Sequence, residues 1–166
     1  MKWLITGVPG TGKSALARWL SKPWNAPVWN DKSFCEQHHI GSMVRGELVV
    51  SLPALRRKAL QELKKAASVI LEGHLWCEIS LPLDGVLVLH AAPKVLEQRL
   101  RKRGYSWEKV LDNTFLELED YCGQQAQQHY PKAVIVHAAE SIALKKLGRQ
   151  IMAWIPFNES KARSRH

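Results

Sequence analysis

The chain has 166 residues, room for one domain with a proper core and too few for two. Its formal net charge of +9 points to anionic partners, a condition that nucleotides meet as well as nucleic acids do. Cys35, Cys77 and Cys122 are odd in number and unpatterned, which argues against a disulfide framework or a cysteine-rich zinc site. With no run near the roughly twenty apolar residues of a membrane span, the expectation is a soluble, unprocessed protein of a reducing, cytoplasmic compartment.

The first apolar run, Trp3-Leu4-Ile5, predicts a strand, and it leads into Gly7-Val8-Pro9-Gly10-Thr11-Gly12-Lys13-Ser14 and then a helix from Ala15. This is a complete G-x-x-x-x-G-K-[ST] in its required context, strand before and helix after. The glycines let backbone N–H groups of Gly10, Thr11, Gly12, Lys13, Ser14 and Ala15 turn inward around a triphosphate, with the helix N-terminus adding a positive dipole. Lys13 is placed to bridge the outer phosphates, and the Ser14 hydroxyl to bind Mg²⁺.

Further along, Val28-Trp29 predicts a short strand, and Asn30 or Asp31 caps a helix running to about His38. Residues 38–53 read as irregular, broken at Gly41 and Gly46. Leu55, Ala59, Leu63 and Ala66 predict a helix, Ser68-Val69-Ile70-Leu71 a third strand ending in Glu72-Gly73-His74, and Val86-Leu87-Val88-Leu89 a fourth. Pro93 opens a helix with Val95, Leu96 and Leu100 on its apolar side, up to Gly104. A single helix from about Trp107 carries Leu111, Phe115, Leu118 and Cys122; Val134-Ile135-Val136 forms the fifth strand. A last helix from about Glu140 turns Leu144, Leu147, Ile151 and Ile155 inward, and residues 157–166 read as a basic, disordered tail. Continuous apolar strands separated by helices imply a parallel five-stranded sheet covered on both faces.

Several segments together resemble the isoenzyme-6-type adenylate kinases, small P-loop nucleoside monophosphate kinases that also serve as ATPases in small-subunit ribosome assembly. They are the P-loop, Glu72-Gly73-His74, Arg99-x-x-x-Arg103-Gly104-Tyr105, Asp112-Asn113 and Glu117. The resemblance runs from Lys2 to about Ile155. It implies a P-loop NTPase fold over residues 1–156, an acceptor segment at about 30–51 and an ATP lid at about 102–112. It implies phosphoryl transfer from ATP to AMP, with Mg²⁺ held by Ser14 and by Glu72, where the family normally has Asp. Catalysis falls to Lys13, His74, Arg99 and Arg103, and ATP binding to the P-loop, Arg103 and His137, whose loop is similar to the family's adenine-contacting loop. Asp31, Arg45 and His74 become the acceptor contacts.

The residues alone leave alternatives open. Arg99 and Arg103 share one helix face, suited to closing over phosphate, yet Arg101 and Lys102 make that helix basic all round. His74 orients a water or acceptor, or is a structural histidine; Arg45 grips a monophosphate, or is a surface charge. The rival functions are an ATPase whose basic surface holds a small-subunit ribosomal protein or rRNA, and a P-loop kinase of another small acceptor.

Overall fold

The computed structural model describes residues 1–44, 47–131 and 134–139, and residues 146, 148, 149, 151 and 152 of the C-terminal segment. Arg45, Leu144, Leu147, Ile155 and the basic tail lie outside these described residues.

In chain order the elements are β1 (Lys2–Thr6), α1 (Lys13–Trp24), β2 (Val28–Asn30), α2 (Asp31–Gln37), β3 (Ser42–Val44), β4 (Glu47–Val49) and α3 (Leu52–Lys65). Then come β5 (Val69–Glu72), a single 3₁₀ turn (Leu75–Glu78), β6 (Gly85–His90), α4 (Pro93–Lys102), α5 (Trp107–Leu118), α6 (Tyr121–His129) and β7 (Val134–Ala139). The central sheet runs β2-β5-β1-β6-β7, joined by four parallel pairings. Alternation along the strands divides the core in two. Leu4, Leu71, Val86 and Val88 face one layer, built on Leu55, Ala59 and Leu63 of α3, Leu96 and Leu100 of α4, and Ala126 of α6. Trp3, Ile5, Ile70, Leu87 and Leu89 face the other, packed on Leu16, Ala17 and Leu20 of α1 and on Ile151. Helices therefore cover both faces, and the loops at the carboxyl ends of β1, β5 and β6 meet at one edge.

The structure departs from the sequence expectation in three places. The segment read as irregular contains an antiparallel hairpin, β3 with β4, pairing Ser42 with Val49. The helix expected to run through Cys122 breaks at Asp120, whose φ of 49° is left-handed, and α6 starts afresh. Within α5, Leu111, Phe115 and Leu118 are exposed at 49%, 62% and 65%, and Val110 is the buried residue. The third departure is at His137, expected in a loop but standing inside β7, paired with Val88.

Candidate active site

The P-loop bends because its glycines take backbone shapes other residues resist. Gly10 has φ 98°, and a Cβ there would sit 2.7 Å from Leu96 of α4, so this helix packs directly under the loop. Arg99 strengthens the same contact, its Nη1 donating to the Gly10 carbonyl at 3.0 Å. The structure thus sets Arg99 against the loop backbone, half-buried, while Arg103 caps the exposed end of α4.

Lys13 begins α1 and is 8% exposed. Its Nζ donates to the Val8 carbonyl at 2.9 Å, an oxygen that also accepts from the Thr11 hydroxyl at 3.0 Å. Burial pulls the Lys13 pKa down, and the Glu72 carboxylate is the largest of the influences working against that shift. A buried ammonium whose main partner is a neutral carbonyl is poised for an anion.

Glu72 ends β5 and is almost fully buried. One oxygen accepts from Ser14 Oγ at 3.0 Å, the other from Asn30 Nδ2 at 2.7 Å. Asn30 also caps α2, its Oδ1 accepting from Ser33 N at 3.1 Å. One amide therefore orients the carboxylate and starts a helix, a double task that capping signals reveal only by half. A hydroxyl beside a carboxylate is a hard oxygen donor set of the kind Mg²⁺ takes, so Ser14 and Glu72 fit the ion the family resemblance implies.

Asp31 follows Asn30 and is 5% exposed. Its oxygens accept from Lys32 N at 2.7 Å and Leu75 N at 3.0 Å, and its carboxylate fills the space above Gly73, where a Cβ would overlap it. His74 stands on this turn, 47% exposed, with Nδ1 3.7 Å from Asp31 Oδ2. The structure brings Lys13, Ser14, Glu72, Asn30, Asp31 and His74 together at one sheet edge, with Arg99 and Arg103 approaching from α4. A cleft of about 180 Å³ opens beside Asn30, lined by Trp29, Ser33, Phe34, Gln37 and His38. That volume is below the usual range of small-molecule pockets.

His137 is exposed and faces His90 at the end of β6, with His90 Nε2 2.8 Å from His137 Nδ1. Sequence reasoning missed His90, Glu117 as its partner, and Asp120. No spacing links these residues, because they come from β6, the end of α5 and the turn before α6.

The AAA domain family matches residues 4–120. A Pyrococcus abyssi protein named "Putative adenylate kinase" is 39% identical over 116 residues, covering 70% of this chain and 63% of its own length. A Methanosarcina mazei protein of the same name is 31% identical, covering 87% of this chain and 82% of its own length. The chain thus spans just under two thirds of the first of these relatives. Among solved structures, a deoxyadenosine kinase from M. mycoides with bound dATP superposes with a TM-score of 0.63 at 17% identity, over 94% of this chain and 100% of that one. A shikimate kinase from Bacteroides thetaiotaomicron gives 0.59 at 18% identity, over 94% and 98%. At such identities the structural likeness speaks for the fold.

Proposed function

This chain belongs to the AAA domain family and to the adenylate kinase family of its archaeal relatives, and from that premise we propose that it transfers the γ-phosphoryl of ATP to AMP, giving two ADP. The observation that carries the reading is the array in which buried Lys13 and Glu72 meet the exposed Ser14 hydroxyl and the half-buried Asn30 amide at the carboxyl ends of β1, β5 and β2, where ligands collect in open α/β sheets. In this reading Lys13 leaves the Val8 carbonyl for the phosphates, and the N–H groups of residues 10–15 cradle them. Ser14 and Glu72 hold Mg²⁺, which neutralises phosphate charge when bound. Arg103 moves from the exposed end of α4 toward the transferring group, and Arg99 keeps the loop in shape beneath it. Asp31 and His74 border the acceptor, the segments at about 30–51 and about 102–112 act as the two lids, and the base rests against the backbone at the His137 end of β7.

The test is ADP formation from ATP and Mg²⁺ with each nucleoside monophosphate and with none. AMP should raise the rate at least about a hundredfold, roughly 2.7 kcal/mol of barrier, and Lys13→Ala should abolish the increase. The Val8 carbonyl keeps its Thr11 partner in that variant, so the fold should survive. Equal turnover with and without AMP would overturn the kinase reading in favour of an ATPase.

A further inference from the structure

Next to the P-loop, where the Leu89 carbonyl backs onto Gly7, His90, Glu117, Asp120 and His137 converge from β6, the end of α5, the turn before α6, and β7. Glu117 Oε1 accepts from Ala91 N at 2.9 Å and from His90 Nδ1 at 3.2 Å. A carboxylate is acceptor-only, so the Nδ1 proton is committed to Glu117 and His90 Nε2 turns outward. Nε2 meets His137 Nδ1 at 2.8 Å and Asp120 Oδ1 at 3.8 Å. The two ring planes differ by only 8°, but a 2.8 Å nitrogen contact is too short for stacked faces, so the rings lie edge to edge and His90 Nε2 accepts from His137 Nδ1–H, a proton that a bound metal ion would displace.

Asp120 makes the arrangement more than a histidine pair. It occupies the N-cap of α6, where an aspartate ordinarily accepts from the first turn's N–H groups, yet its side chain makes no capping bond. Its Oδ1 is buried without a hydrogen-bond partner, on a residue held at φ 49°. An enclosed carboxylate oxygen without a partner is unfavourable, and a cation would relieve it.

We propose that His90, Asp120 and His137 form a binding site for a divalent first-row transition ion of the zinc class, separate from the Mg²⁺ site of the phosphates. Two imidazole nitrogens and one carboxylate are the donors such ions prefer, whereas Mg²⁺ takes oxygen. The three donor atoms lie within 4.8 Å of one another. The 2.8 and 3.8 Å separations bracket the edge of about 3.4 Å in a tetrahedron with 2.1 Å bonds. Rotation of the exposed His137 ring is the adjustment that the site would require. Glu117 supplies the outer carboxylate that commonly fixes a metal-binding histidine in its tautomer. A fourth position is left for water. Bound there, the ion ties the turn between α5 and α6 to the ends of β6 and β7.

The full chain, stripped with a chelator, should be titrated with Zn²⁺ against a chromophoric competitor and with Co²⁺ for the absorption of a tetrahedral site. One equivalent should bind, unaffected by millimolar Mg²⁺, and Zn²⁺ should raise the melting temperature. His137→Ala, at an exposed position, and the isosteric Asp120→Asn should each weaken binding about a hundredfold or more, and Glu117→Gln about 10- to 100-fold. His39→Ala should leave binding intact. Absence of saturable Zn²⁺ binding, or binding indifferent to both His137→Ala and Asp120→Asn, would overturn the site. Kinase activity is not the readout, so the outcome is independent of the phosphoryl-transfer proposal.

Discussion

Asn30 shows how one side chain couples stability to chemistry. Its carbonyl oxygen caps α2 and its amide nitrogen holds Glu72, so Asn30→Ala would remove both and leave a buried carboxylate with one partner fewer. Asn30→Ser separates the two tasks, because a serine hydroxyl still caps a helix but is too short to reach Glu72. The variant should lose about 1–3 kcal/mol against urea for the Glu72 oxygen left without its partner, and less than Asn30→Ala, which loses the cap as well. Its phosphoryl transfer should fall about tenfold or more, equivalent to 1.4 kcal/mol of barrier, as Glu72 turns away from Ser14. Full activity with unchanged stability would show that Glu72 needs no orientation from Asn30. The P-loop was legible in the sequence down to Lys13 and Ser14, since its chemistry is written in contiguous residues. Asn30 was visible only as a cap, because its second partner lies 42 residues away across the sheet.

At the scale of elements, α4 and α5 are opposites. Leu96 and Leu100 of α4 are fully buried and press on Gly10, whereas α5 buries Val110 and presents Leu111, Phe115 and Leu118 to solvent. Leu100→Ala should therefore cost about 2–5 kcal/mol, and it should also loosen the loop that Arg99 braces. Phe115→Ala should change stability by less than about 0.5 kcal/mol, and urea denaturation monitored by circular dichroism distinguishes the two. A Phe115→Ala loss as large as that of Leu100→Ala would mean that the exposed stripe is covered in solution. Periodicity located both helices but not their environments: an apolar residue every third or fourth position predicts a face, without saying whether the chain supplies anything for it to meet. The same pattern ran past Asp120 because a left-handed break needs no glycine when an aspartate adopts it. The β3 and β4 hairpin escaped notice because three-residue strands are too short for alternation to register.

Over the whole molecule the question is which of the positive charges act and which merely attract. A formal charge of +9 raises the local concentration of any nucleotide, and that long-range attraction weakens as salt shortens the screening length to about 3 Å at 1 M. Arg101 belongs to this diffuse field: its Nε lies 3.5 Å from Glu97, and its guanidinium sits 4.7 Å over the Trp107 ring. Arg103, two residues on, caps α4 at the turn that the kinase reading assigns to the ATP lid, and its charge is near enough to depress the Lys13 pKa further. Arg103→Ala should therefore lower kcat about tenfold or more, or 1.4 kcal/mol of transition-state stabilisation, and change the KM for ATP much less. Arg101→Ala should leave kcat within about twofold and shift only the KM, an effect that fades as sodium chloride is raised toward 1 M. The kcat deficit of Arg103→Ala should persist at every salt concentration, because a contact made in a water-excluded transition state is poorly screened. If the Arg103→Ala defect instead lay in KM and vanished with salt, as for Arg101→Ala, Arg103 would belong to the attracting field, and Lys13 would be left as the sole side-chain cation assigned to transfer.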